Sequence, residues 1–439
     1  MALLFAMLVS ACADKNPVLN IEGGKVQGVK TESENVTVFR GIPYAAPPVG
    51  ELRWRAPQPV VPWKGVLKAD TFGNAAVSPG QEPGSFYEKE FYWEGNPPMS
   101  EDCLYLNVWA PTSTLGKADA ALPVAMWIHG GAYINGYGHE VTMDGEAWAR
   151  RGVILVTINY RLGGLGFFSH PLLSEREDGT SGNYGMQDQV AALKWIYDNI
   201  AQFGGDPGNI TVFGQSAGAM SVKTLLASPM AKDMIAKAII QSGGGLGNAP
   251  APADPAQMQQ RYDAMGQAMM ERQGYTTLQQ MLDIPATDII RMVSRMGPHI
   301  DGKVMTKDFN QAVYDNTLAN VPVMIGSTAQ DMGSLGAQLQ TFAEVRDSLG
   351  CPPVYRYLFA RNPPGDDDDP ATDPGAFHSS ELWYIFGTLS KSWRPFTEAD
   401  YKLAEQMIDA WTSFAATGNP GWKASTAAEP VLKIFDIEK

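Results

Sequence analysis

The sequence predicts an α/β fold, a doubly wound and mostly parallel sheet with antiparallel strands toward its N-terminus. Short runs that are apolar throughout recur along the chain, helical patterns lie between them, and only the N-terminal part alternates. A strand that is apolar on both faces belongs in a sheet covered by helices on both sides. Strands that alternate with helices build such a sheet through crossover connections.

Taken in order, Val26 to Arg40 alternates as an antiparallel hairpin does. Ala75 to Pro98 is rich in Gly, Pro and aromatic residues, with turn signals at Ser78-Pro79-Gly80, Pro83-Gly84 and Pro97-Pro98, and reads as an ordered surface excursion. Asp102 to Trp109 is a further strand. Continuous apolar strands follow at Pro123 to Ile128, Val153 to Ile158, Ile210 to Phe213, Ala238 to Gln241, Val321 to Ile325 and Val354 to Leu358. Helical patterns occupy Gly145 to Arg151, Gly185 to Phe203, Met220 to Leu226, Pro255 to Gln273 and Asp400 to Ala416. Asn362 to Pro370, with four consecutive aspartates, reads as a solvated acidic loop. Adjacent carboxylates cannot all face one ion as a spaced calcium loop does.

Bulk composition agrees with one large folded unit. The 439 residues are 44% hydrophobic, 10% aromatic and 18% charged, which supports a large core and excludes a disordered chain. A formal net charge of −14 disfavours nucleic acid or an anionic membrane as partner. Met1 to Ala11 is apolar and small-rich, too short to span a bilayer but of the length of a secretory segment. It carries no Lys or Arg, and Val9-Ser10-Ala11-Cys12 resembles a bacterial lipoprotein cleavage box. The expectation is therefore a leader and linker over 1–18, then a single catalytic domain over 19–439. The protein would be exported to the periplasm, outer membrane or medium, with Cys12 as a candidate lipid anchor; the alternative is a cytoplasmic protein. Cys103 and Cys351 are expected to be buried free thiols, because two cysteines make no disulfide framework.

The chemistry centres on Gly214-Gln215-Ser216-Ala217-Gly218, set between an apolar strand and a helix. A sharp strand-to-helix turn needs small residues two before and two after the serine. It lifts the hydroxyl clear of the sheet and turns the next N–H toward a reacting carbonyl. A serine hydroxyl needs a base. Of five histidines, His378 lies on the loop after the last core strand, where the order nucleophile, acid, histidine places the base. Asp331, just beyond the strand Val321 to Ile325, is the expected acid, with Asp301 and Glu381 as weaker rivals. His129-Gly130-Gly131-Ala132 follows the strand ending at Ile128. Two glycines there let backbone N–H groups converge with that of Ala217 on one oxyanion.

These residues, with Phe39-Arg40-Gly41-Ile42-Pro43-Tyr44-Ala45, Ser100 to Val108, Gly182 to Gln189 and Phe203-Gly204-Gly205-Asp206-Pro207, resemble the type B carboxylesterases, the group that includes the cholinesterases. The resemblance runs from about Gly23 to Asn419. It implies an α/β-hydrolase fold, ester hydrolysis through an acyl-enzyme, a small-molecule ester as substrate, no cofactor and no metal. It also implies a buried structural ion pair between Arg40 and Glu101. Four departures stand out: Asp331 where the family usually has Glu, Cys103 without its upstream disulfide partner, Gln215 where cholinesterases have Glu, and a short interval between Asp331 and His378. Without the disulfide, the excursion Ala75 to Pro98 is expected to be held by packing alone. Trp93, in the place of the cholinesterase choline-stacking tryptophan, is expected either to wall the substrate pocket with Ala132, Gln215 and Trp383 or to be a merely packed aromatic. An amidase or lactonase using the same triad, and a non-catalytic adhesion protein of the neuroligin kind, are the alternatives.

Overall fold

A computed structural model describes residues 17–248, 250–293, 296–366 and 373–437. The leader with Cys12 and residues 367–370 of the acidic loop lie outside the described residues. Among those described, the main sheet has ten strands. Seven run parallel, in the spatial order Lys433–Phe435, Val354–Phe359, Val323–Thr328, Lys237–Gln241, Gly205–Gln215, Leu122–Ile128 and Ile154–Ile158. Tyr105–Pro111, Val36–Pro43 and Val29–Lys30 complete the sheet antiparallel. The predicted α/β class, with antiparallel strands at the N-terminal side, is what the chain adopts.

Side chains of successive strand residues point to opposite faces, and the central strands feed two separate cores in that way. Val124, Met126, Ile128, Val212 and Ile240 pack on one face, with Ala219 and Val222 of the helix Ala217–Ala227. Ala125, Trp127, Phe213, Ile239 and Met324 pack on the other, with Met407 and Trp411 of the helix Glu398–Thr417. Both faces are covered, which is why these strands read as unbroken apolar runs.

Some expectations need correction. Arg40 does not pair with Glu101; its guanidinium lies over the Phe72 ring at 5.1 Å and donates to Asp70 O. Arg53 takes the role instead, with Nε 2.7 Å from Glu101 Oε2 and Nη1 donating to Leu282 O and Ile284 O. Val36–Pro43 shifts register between Phe39 and Ile42, and that bulge carries Arg40 to the sheet edge. Cys103 is buried and free as expected, whereas free Cys351 is only partly buried and donates to Asn316 Oδ1.

The excursion Ala75 to Pro98 is not held by packing alone. It folds as the helix Phe86–Phe91, capped by Ser85 Oγ accepting from Glu88 N. Glu90, fully buried, accepts from Arg394 Nε at 2.9 Å and from Trp383 Nε1 at 2.8 Å. Arg394 also donates to Pro364 O and stacks on Phe377, the neighbour of His378. An internal ion pair thus fastens this segment. Removing one partner of such a pair leaves a desolvated charge, at a cost of about 3 kcal/mol or more. Glu90→Gln should lower the stability measured by urea unfolding by about that amount. An unchanged midpoint would show that the pair contributes nothing.

Candidate active site

The serine turn is built by close packing. Ser216 sits at φ 57°, ψ −124°, a conformation that non-glycine residues rarely adopt. Its N–H donates to Gln241 O at 2.9 Å, and its carbonyl accepts from Met220 N at 3.0 Å, starting the helix. A Cβ on Gly218 would lie 2.0 Å from Ile128 O, and one on Gly214 would lie 2.6 Å from Gly218 C. The two flanking glycines are therefore required because strand and helix backbones touch there.

The oxyanion loop depends on the same contact. A Cβ on Gly130 would meet Gln215 O at 2.9 Å and Ser216 Cβ at 3.2 Å, so this glycine lies against the serine. Gly131 has φ +95°, and Ala132 and Tyr133 follow at φ 55° and 62°. Among the described residues, the N–H groups of Gly130, Gly131 and Ala217 donate no hydrogen bond within the protein. His129 braces the loop: it is buried, stacks on Tyr160 at 4.4 Å and meets Gly130 O at 2.9 Å through Nδ1. Burial holds its imidazole down at about 4, so it stays neutral and takes no part in proton transfer.

Asp331 and His378 meet, with Nδ1 to Oδ1 at 2.6 Å. Burial pushes the Asp331 carboxyl up, but the hydrogen bonds it accepts, from the His378 ring first, outweigh this and hold it below its ordinary value. As a carboxylate it accepts from Nδ1 and so fixes the Nδ1–H tautomer. That leaves His378 Nε2 as an acceptor, and Gln215 Nε2 lies 3.1 Å from it. Among the described residues, Ser216 Oγ makes no hydrogen bond. The ring thus meets the amide beside the serine, and catalytic hydrogen bonds commonly tighten only around substrate.

Gly130, Gly131, Ala132, Gln215, Ser216 and His378 line one cavity of about 260 Å³, which brings nucleophile, base and oxyanion donors to a common wall. Of the predicted pocket residues, Ala132 and Gln215 line it and Trp93 and Trp383 do not. Trp383 is fully buried, its indole N–H engaged by Glu90, and Trp93 stacks on its outer face at 5.9 Å. The pair packs behind the helix Phe86–Phe91, on Phe91, rather than on the cavity. Aromatic lining comes instead from Tyr87, Phe91 and Tyr92, and Tyr87 donates its hydroxyl to His378 O at 3.2 Å. Sequence reasoning singled out none of these three; their signal was the helical run after Pro83-Gly84-Ser85. Of the rival acids, Asp301 accepts three backbone N–H groups of its own turn. Glu381 is buried, accepts from Gln241 Nε2 and is pushed up to about 7 by desolvation. Among the described residues, no group of His, Cys, Asp and Glu side chains could hold a metal ion.

Glu140 is a further buried carboxyl on the cavity wall, accepting from Tyr92 Oη at 2.7 Å and Tyr137 N at 3.2 Å. Desolvation pushes it from 4.5 to about 7. The folded protein then binds this proton more tightly than the unfolded chain, so stability is full below about pH 4.5 and is lost as pH rises toward 7. The loss from this one group is on the order of 3 kcal/mol. Comparing Glu140→Gln with the parent by urea unfolding at pH 5 and 8 should show a shallower decline in the variant. Parallel declines would remove Glu140 as the cause.

Residues 15–348 and 335–434 match the model of the Carboxylesterase family. The chain is 33% identical over 477 residues to the para-nitrobenzyl esterase of Bacillus subtilis (strain 168), covering 93% of this chain and 91% of that protein. It is 32% identical over 480 residues to the fumonisin B1 esterase of Sphingopyxis macrogoltabida, covering 93% and 83%. Solved structures of a PNB esterase and of a thermophilic PNB esterase superpose with TM-scores of 0.81 and 0.82, at 30% and 29% identity over 96% of each chain.

Proposed function

Because the chain belongs to the carboxylesterase family and is a carboxylic ester hydrolase, we propose that Ser216, His378 and Asp331 are the residues that carry the reaction. The observation that supports this most is the one cavity lined by the strained serine, the aspartate-held imidazole and the two glycines whose N–H groups are unengaged, Gly130 and Gly131. Ser216 Oγ attacks the ester carbonyl carbon while His378 Nε2 takes its proton. Charge develops on the carbonyl oxygen, toward the N–H groups of Gly130, Gly131 and Ala217. Each such donor lowers the barrier by about 3 kcal/mol. Collapse of the tetrahedral adduct breaks the C–O bond to the alcohol, and His378 delivers its proton to the departing alkoxide. A water then gives its proton to His378 and attacks the acyl-enzyme, releasing the acid and returning the proton to Ser216.

Asp331 stabilises the imidazolium without taking the proton. The Gln215 amide holds Nε2 in the resting state, and being neutral it adds no second negative charge beside the imidazole.

With p-nitrophenyl butyrate as substrate, Ser216→Ala should lower kcat by 10⁴-fold or more, roughly to the level that oxyanion binding alone sustains. Asp331→Asn should cost about 10⁴-fold through the wrong tautomer. Full turnover by the alanine variant would refute the nucleophile.

Among the described residues, no helix is long and apolar enough to cross a membrane. The apolar leader and the Val9 to Cys12 box support a lipid-anchored, exported form. Mass spectrometry of the N-terminal peptide from bacterial membranes should find diacylglycerol on Cys12; an unmodified Met1 terminus would overturn that reading.

A further inference from the structure

The helix Ala217–Ala227 presents one more chemical group beyond the nucleophile. Met220 and Lys223 are spaced i and i+3, so they share one face of the helix that Ser216 precedes. Met220 is half exposed. Together with Thr224 and Ala227, Met220 and Lys223 line a second cavity of about 290 Å³. Its remaining wall includes Tyr133, which directly follows the glycine loop, and Phe309. The two cavities are therefore neighbours along the chain, Ser216 lining the first and Met220, four residues on, lining the second.

Lys223 is held in this second cavity as a fixed cation. Its ammonium donates to Gly243 O and Gly245 O, each at 3.2 Å, and lies 4.4 Å from the centre of the Phe309 ring. An ammonium has three donors, so one direction is left over. Among the described residues, no carboxylate lies within ion-pairing distance of it. Asp308, the acid that bears on it, is occupied in capping the helix Phe309–Tyr314 through Asn310 N and Gln311 N. Lys307 also lines the cavity and is paired with Asp315. With Lys307 neutralised by Asp315, Lys223 is the cation of this cavity that makes no ion pair among the described residues. Burial alone pulls the Lys223 ammonium down to about 8, a cost that a bound anion would reverse.

We propose that this cavity is a subsite for a distal anionic group of the ester, a carboxylate held by Lys223 while the scissile carbonyl sits at Ser216. The proposal rests on Ser216 being the nucleophile. Seven residues of helix separate the two positions by about 10 Å, so the substrate must reach that far along the helix face. The preferred ester is then an extended one whose far end is charged, and short neutral esters make no use of the site.

The test compares p-nitrophenyl monoesters of linear diacids with the same compounds capped as terminal methyl esters, across chain lengths. In the parent enzyme, the ratio of kcat/KM for free over capped ester should rise to about tenfold at an intermediate length, roughly six to ten carbons. It should fall toward one for shorter chains. In Lys223→Met that ratio should be near one at every length, and Lys223→Arg should keep most of it. Lys402→Met, an exposed lysine of another helix, should leave it unchanged. A parent ratio at or below one at all lengths overturns the subsite, and so does a ratio that persists in Lys223→Met. The length series in the parent decides the matter even where a variant fails to fold. Ser216→Ala is run alongside: turnover surviving in it would indict the nucleophile assignment, whereas a lost length dependence with Ser216→Ala inactive would indict Lys223 alone.

Discussion

Everything at this site depends on one backbone contact, where the start of the helix Ala217–Ala227 is pressed onto the end of the strand Leu122–Ile128. The gap at Gly218 leaves no room for a methyl group beside Ile128 O. That approach forces Ser216 into its positive φ and holds it there, since the strain of about 1–3 kcal/mol persists only where the surroundings over-determine it. The same approach brings Gly130 against Ser216 and so sets the oxyanion loop beside the nucleophile. Nucleophile and oxyanion donors are thus one packing event. Neither can be moved without the other.

Around this contact the remaining parts are fastened by polar groups. The helix Phe86–Phe91 is tied by Glu90 to Arg394 and Trp383, and by Tyr87 to the carbonyl of His378 itself. Charges buried this deeply are tolerated because every contact that holds Glu90 is charge-assisted or a directed indole donor. The consequence is that a segment far from the triad in sequence helps set the height of the histidine loop. A covalent bond elsewhere in the segment would anchor it without touching that loop.

The sheet and the reacting groups were legible in the sequence because both leave local marks. Unbroken apolar runs of five or six residues announce strands covered on both faces, and glycines at fixed offsets announce a turn with no space for side chains. Long-range pairings leave no such mark. Arg53 rather than Arg40 meets Glu101 because a bulge between Phe39 and Ile42 redirects the strand, and a bulge is a matter of register, which alternation does not encode. Trp383 was misplaced as a pocket wall, and Trp93 is the packed aromatic of its two readings, for a related reason. A large aromatic near a site reads as a pocket wall, but Glu90 turns the Trp383 indole inward and Trp93 follows it by stacking. The short helices Phe309–Tyr314 and Leu382–Phe386 escaped notice because one or two turns give too few residues for a period to show.

The aspartate at 331 shows how a shorter acid is accommodated. It has one methylene fewer than the glutamate usual in the family, so the two loops must lie closer or the hydrogen bond fails. They are drawn together by their own backbones. Gln330 N donates to Ala376 O at 3.0 Å, Gln330 and Phe377 form a parallel bridge, and Gln330 Oε1 accepts from Ala376 N. Gly375, at φ +80°, permits this because a Cβ there would press on the Gln330 side chain at 2.8 Å. The carboxylate is then pinned from its own side by Met332 N and Thr328 N. With both loops clamped, the 2.6 Å contact to His378 is set by backbone geometry, and the length of the acid side chain follows from how tightly the loops are joined. The residue that makes aspartate sufficient is therefore Gln330, which never touches the imidazole.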